Sequence, residues 1–485
     1  MKKIAVFVFV FFQLIGKTYA NNLVMGTPTK SGSTISFTIQ WDNSWNVIAA
    51  PSNWDAIWVF VKRQHCDANA QTPWLHETLN STSTNHTVTG TVLQVDLASS
   101  DNLGVFIRRK NQGVGNISQE TVTLTLSSDV GSDNIAVYGI EMVYVPEGEF
   151  YIGDWNGNDF RFTDGNTYNP KLITQAIQSN GIGSANNYQI SSYGCPGSLP
   201  AAFPLGYNGF YCMKKEITCK LYCDFLNSIT YTQQIYLWDD PNNAPSVANP
   251  GVKIMTRYGY NIEVISQTAL QPAVYGCDAN DDNNWNQADD GLELPIALYN
   301  KPFEAFLDWA AIRPMTEFEY EKACRGPITP VYSEYAWGTT DISSNYTIIN
   351  RGTNYESSTT TPLGLSNLDR YTLYRAGIEA TSSSDRIHAG ASYYGILNLT
   401  GSVYETCIGG FQKGNYSNFT NINGNGNINN RAVATVTGWP NSNNGYIYRG
   451  ASTRHNTGAQ VSSRATYYYG DDYYYVQGGR GVRSY

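Results

Sequence analysis

The stretch Arg313-Pro-Met-Thr-Glu-Phe-Glu-Tyr-Glu-Lys-Ala-Cys-Arg-Gly326 decides how the rest of the chain is read. Thr316 has Glu319 three residues on. That is a capping box, in which a hydroxyl and a carboxylate satisfy N–H groups left open at a helix start. The spacing predicts a helix running to Cys324, with Cys324 at a small core position. Six more motifs flank it. Met142-Val-Tyr-Val-Pro-Glu-Gly-Glu-Phe-Tyr-Ile-Gly153 and Phe210-Tyr-Cys-Met-Lys-Lys-Glu-Ile-Thr218 precede it. Tyr335-Ala-Trp-Gly338, Gly395-Ile-Leu-Asn-Leu-Thr-Gly-Ser-Val-Tyr-Glu405, Arg449-Gly-Ala-Ser452 and Gly481-Val-Arg483 follow.

Seven motifs in this order resemble the formylglycine-generating enzyme (sulfatase-modifying factor) family from Met142 to the end of the chain. The resemblance implies an α+β, C-type-lectin-like fold over residues 135–485, rich in loops around small sheets. It does not by itself imply catalysis, because fold and function separate readily. Active members of the family use two cysteines just after the Arg-Gly-Gly-Ser motif to bind copper and activate oxygen. Those positions fall on His455 and Gln460, and no cysteine occurs after Cys407. A thiolate pair selects Cu(I), and an imidazole with an amide replaces it poorly. A related branch binds iron through His-x-x-x-His. The five histidines, His65, His76, His86, His388 and His455, include no pair at that spacing. Neither copper nor iron is expected.

The resemblance further implies calcium in a structural role. The family's ligand positions map onto Asn398, the carbonyls of Gly401 and Val403, and Glu405. Such a set of amide, carbonyl and carboxylate oxygens suits a hard cation. A second acidic stretch, Asp278-Ala-Asn-Asp-Asp-Asn-Asn-Trp-Asn-Gln-Ala-Asp289, places oxygen side chains at loop positions 1, 3, 5 and 12. It lacks flanking helices and the terminal bidentate Glu, and reads as a solvated acidic loop.

Residues 1–20 read as a secretory signal: Lys2 and Lys3, an apolar run from Ile4 to Ile15, and Thr18-Tyr19-Ala20 as cleavage site. Export to the periplasm, cell surface or medium is expected, with no membrane span. A net charge of −9 argues against nucleic acid as a partner. Eight cysteines invite disulfides in an exported chain. Cys219 and Cys223, one helical turn apart, suit a bridge poorly. Cys195 with Cys212 or Cys277 stays open.

Between residues 21 and 130, short alternating runs at Thr34–Trp41, Ala56–Lys62, Thr87–Leu97, Gly104–Arg109 and Thr121–Leu126 predict an all-β, Ig-like sandwich. The polar segment from Ser127 to Asn134 predicts a domain boundary. Helices are predicted over Glu216–Ile229 and Pro302–Ala311.

The stretch Tyr446–Tyr475 lines the substrate groove in the family. Here Arg454, His455, Asn456, Gln460, Tyr467, Asp471, Asp472 and Tyr473 form the candidate ligand-binding set. Aromatic faces with interleaved amides and charges suit a glycan, a peptide or a surface protein. The segment also resembles the variable region of lectin-fold proteins diversified by retroelements. The leading expectation is an exported, non-catalytic binding protein. The alternatives are an enzyme of altered chemistry, with His455 and Glu405 or Asp471 as acid–base groups, and a structural part of an envelope assembly.

Overall fold

The computed structural model describes residues 22–66, 72–98, 100–176, 181–184, 199, 201–237, 262–268, 270–342, 347–359, 373–381, 383–409, 419–440, 445–453, 458–465 and 476–484. The expected signal segment, Cys195, and the positions Arg454, His455, Asn456, Tyr467, Asp471, Asp472 and Tyr473 lie outside the described residues.

The sequence Ala56-Ile-Trp-Val-Phe-Val-Lys62 is an unbroken apolar run closed by a lysine. Such a run suits a strand buried on both faces, and Asp55–Gln64 is that strand, buried from Asp55 to Lys62. Ile57, Val59 and Val61 belong to a core shared with Ile35, Phe37, Ile39, Trp41, Val122 and Leu124. Those partners lie on Thr34–Asn46 and Gly113–Thr125, which pair antiparallel in a five-stranded sheet. Two sheets thus sandwich the N-terminal core. The opposite face of Asp55–Gln64 carries Ala56, Trp58 and Phe60 into a second, larger core. There the Trp58 indole N–H donates to the Ala310 carbonyl at 2.9 Å. Phe60 meets Trp309 edge-on, with centroids 5.1 Å apart.

The expected boundary gives way at this point. Asn134–Val145 is a long strand that belongs to both parts of the molecule. It pairs antiparallel with Asp55–Gln64 from Asn134↔Gln64 to Val143↔Asp55. On its other edge Met142–Val145 pairs with Phe210–Met213. One eleven-stranded sheet results, running from Tyr446–Arg449 through Tyr404–Ile408, Arg313–Thr316, Gly481–Ser484, Phe210–Met213, Asn134–Val145 and Asp55–Gln64 to Val105–Arg109 and Leu93–Leu97. The sandwich is therefore not a self-contained Ig-like module, because its second sheet continues into the C-terminal part.

Of the described helices, Glu317–Arg325 and Asn300–Trp309 pack on this sheet, and Cys219–Leu226 packs on the separate Val274–Cys277 strand. Glu317–Arg325 begins at Thr316 with both halves of the capping box in place. Asn300–Trp309 starts from Tyr299, three residues before Pro302. Cys219–Leu226 is shorter than expected. Its predicted first turn is held extended, with Ile217 N–H donating to the Gly479 carbonyl and the Ile217 carbonyl accepting from Ile296 N–H, both at 2.9 Å. Among the described residues no helix is long and apolar enough to cross a membrane.

Candidate functional site

Glu317, Glu321 and Arg325 recur every four residues, which puts them on one face of their helix. That face meets Arg449 of the Arg-Gly-Ala-Ser motif and Arg464. Arg449 donates to Glu317 at 3.0 Å and to Glu321 at 2.7 Å. Arg464 donates to Glu317 through Nε at 2.6 Å. Arg325 reaches Glu321 at 3.3 Å, pairs with Glu334, and donates to the Ser462 hydroxyl at 2.8 Å. All these side chains are almost fully buried. Burial works against the Arg449 charge, but Glu321 and Glu317 outweigh it and hold its pKa above the ordinary value. Gly450, at φ 79°, lets the chain leave this lattice, because a Cβ there would sit 2.5 Å from the Leu399 carbonyl. The lattice fixes Arg449 and Arg464, which flank the Gln460 position.

Above it lies a polar cleft of about 580 Å³, lined by Asn156, Asn158, Asp159, Phe160, Arg161, Ser333, Gln460 and Ala465. Gln460 also hydrogen-bonds the Tyr335 hydroxyl. The Tyr335 ring stacks on Trp337 at 4.9 Å between centroids. Arg161 pairs with Asp154, whose carboxylate also accepts from Ser333 N–H at 2.9 Å. Asp159 and Phe160 are both left-handed, at φ 58° and 54°. Two consecutive side-chain-bearing residues in that region are strained, and such strain persists only where surrounding contacts enforce it. Arg464 supplies the contacts: its N–H donates to the Asp159 carbonyl at 2.9 Å and its Nη1 to the Phe160 carbonyl at 3.1 Å. The buried lattice thus shapes the cleft floor. Of the eight expected ligand-binding positions, Gln460 is described, and it stands in this cleft. Asp159, Arg161 and Ser333 were not anticipated, since nothing local ties them to a residue so far along the chain.

The expected calcium ligands are placed differently. Glu405 is fully buried, and its Oε1 accepts from Arg480 Nε at 2.7 Å and Nη2 at 2.5 Å. Arg480 Nη1 donates to the carbonyls of Met213 and Lys214. Glu216 lies beside the same guanidinium at 3.9 Å, and burial raises its carboxyl pKa. The Arg480 guanidinium thus already meets the charge of the Glu405 carboxylate. The Asn398 amide oxygen accepts from Gly377 N–H at 2.6 Å. Gly401 N–H bonds the Gly450 carbonyl, and Val403 is buried apolar packing. These residues do not fit a calcium ion as the chain is folded, because Arg480 takes the place of the cation on Glu405. The same ion pair leaves Glu405 unsuited to the acid–base role considered for it.

A family described as the sulfatase-modifying factor enzyme 1-like domain matches residues 132–482. The match begins at the strand shared by the two parts and ends at the Gly481–Ser484 strand. No curated protein matches the chain at a significant level. The motif order, the sheet that joins the motifs and a match over most of the chain's length agree: this chain belongs to the sulfatase-modifying factor family.

Proposed function

We propose that the protein is an exported binding protein that uses the cleft around Gln460, with the Tyr-rich segment beyond it, to hold a glycan, peptide or surface protein. One observation carries this reading. Where active relatives are expected to hold a copper-binding thiolate, an amide sits in a broad cleft lined by hydrogen-bonding side chains. Amides, a carboxylate and a guanidinium beside a stacked Tyr–Trp pair are the groups that orient a polar ligand over an aromatic face. A rigid ionic lattice beneath them supports preorganisation, which limits the entropy lost on binding. Export rests on the N-terminal Lys2 and Lys3 and the apolar run after them.

The test uses the mature full-length chain. Glycan arrays and surface-protein panels should yield a ligand, and Gln460→Ala should weaken it at least tenfold without lowering the melting temperature. A parallel incubation with copper, oxygen and a Cys-x-Pro-x-Arg peptide should leave the cysteine unconverted. Formylglycine in that peptide would refute the non-catalytic reading.

A further inference from the structure

The loop that follows the Val274–Cys277 strand holds five carboxylates, Asp278, Asp281, Asp282, Asp289 and Asp290, and no Lys or Arg. Its sequence reads as a solvated acidic loop, yet two of the five are not solvated. Asp278 is 1% exposed and Asp290 is fully buried. Asp278 spends its carboxylate on the loop itself, accepting from Asp282 N–H at 3.2 Å and Asn283 N–H at 3.0 Å. Asp290 uses one oxygen, Oδ2, to accept from Gln287 N–H at 2.5 Å. Its other oxygen, Oδ1, is buried and has no hydrogen-bond partner. An orphaned carboxylate oxygen beside two further carboxylates is costly unless a cation or proton meets it. Burial raises the Asp290 pKa, and Asp278, Asp289 and Asp282 push it the same way.

The geometry lets three of these carboxylates share one cation. One oxygen each from Asp278, Asp282 and Asp290 lie within 4.8 Å of one another. Two oxygens on one calcium ion stand at most about 5 Å apart, twice a bond of roughly 2.3–2.6 Å. Magnesium, at roughly 2.0–2.1 Å, spans about 4.2 Å at most and demands near-octahedral order. Oxygens this close can share one ion, and calcium, which takes six to eight hard oxygens in flexible geometry, suits an irregular loop better than magnesium. Asn354 adds a fourth candidate. Its N–H bonds the Ala288 carbonyl in the same loop, and its own buried side-chain oxygen has no hydrogen-bond partner. We propose that Asp278, Asp282 and Asp290 form a calcium site that pins this loop to the sheet, away from the position the family resemblance implies.

Trp285 lies inside the loop, its indole N–H held by Glu263, so it can sensitise terbium luminescence. The full mature chain is stripped with chelator and titrated with calcium by calorimetry and with terbium under tryptophan excitation. Calcium should bind, raise the melting temperature and quench the terbium signal. Asp290→Asn should weaken binding at least tenfold and abolish the melting shift. In chelator it should melt no lower than the parent, since it removes repulsion. Asp282→Asn, at an exposed position, gives the same readout should the buried variant fail to fold. Glu405→Gln should keep the full calcium response. No calcium binding by the parent at millimolar concentration would overturn the site, as would a melting shift retained by both loop variants. A response lost only in Glu405→Gln would overturn it too, moving the ion to the family's position.

Discussion

Arg483, two residues from the end of the chain, grips Asp101 of the N-terminal sandwich with two hydrogen bonds of 2.6 Å. Its guanidinium carbon also lies 4.1 Å from the centroid of the Trp58 ring. Trp58 and Asp101 come from the first part of the chain, Arg483 from a motif of the last. The contact ties the two into one folding unit, as the shared sheet already demands.

Removing Asp101 should therefore be costly. Arg483 is fully buried, and burial alone lowers its pKa, with Asp101 countering. Breaking a buried pair typically costs 3–5 kcal/mol. Asp101 is partly exposed, so Asp101→Ala should cost about 2–4 kcal/mol. Urea unfolding of the parent should follow one transition in both far-UV and Trp signals. Two separable transitions would contradict the single folding unit.

The charge lattice makes a second prediction. Arg449→Met strips one cation from between Glu317 and Glu321, and should cost about 3–5 kcal/mol. Adding Glu321→Gln to it should cost less than the sum of the two single changes, because the second removes a charge that the first left with Arg325 as its remaining cation. Strict additivity in denaturant melts would mean the two side chains do not act as a pair.

How much of this could be read in advance depended on range. The Thr316–Glu319 cap is local, spanning three residues, and its spacing alone specifies it. The run Ala56–Lys62 was legible as a strand. Its place was among the alternating runs of a sandwich, whereas its unbroken apolar character fits the burial on both faces that the fold shows. Ser127 to Asn134 has the composition of a linker, but serves as a crossing from one sheet to the other. Composition cannot distinguish those roles, since both need a polar turn. Gln460 was found by counting from a motif. Asp159 and Arg161 were not, because only tertiary packing brings them beside it. Arg480 was missed for the same reason. It stands outside every motif quoted, and its effect on Glu405 is visible only in the fold.

Glu304 supplies a pH test. It is 6% exposed beneath Tyr446, whose hydroxyl donates to its Oε1. Burial pushes its carboxyl up to about 8 against an ordinary 4.5; the Tyr446 bond opposes the shift, and Asp308 adds to it. The folded pKa exceeds the unfolded one, so folding takes up a proton between those values. This group's contribution is complete below about pH 4.5 and is lost as pH rises through about 8. Glu304→Gln, an isostere of the neutral acid, should flatten that part of the stability profile. At pH 9 it should exceed the parent by roughly 1–3 kcal/mol. Identical pH profiles for parent and variant would show that Glu304 is ionised in the fold.

The last prediction concerns two buried thiols. Cys223 lies on the Cys219–Leu226 helix and Cys277 ends the Val274–Cys277 strand, with sulfurs 3.7 Å apart. A disulfide needs about 2.05 Å, so a small rotation would join them. Along the chain Cys219 and Cys223 suit a bridge poorly, and Cys195 with Cys212 or Cys277 stayed open; the fold instead brings Cys223 beside Cys277. Burial raises the Cys223 pKa well above the thiol range, so the folded, reduced protein should oxidise slowly. The bond should form during folding in an oxidising compartment, where thiolate is still accessible. Peptide mapping without reductant should then recover a Cys223–Cys277 cross-link from exported protein, and free thiols from protein made in a reducing cytosol. The closed loop should add about 4 kcal/mol by restricting the unfolded chain, a gain abolished in Cys223→Ser. Two free thiols in exported, fully folded material would rule the bridge out and leave the pair as apolar packing.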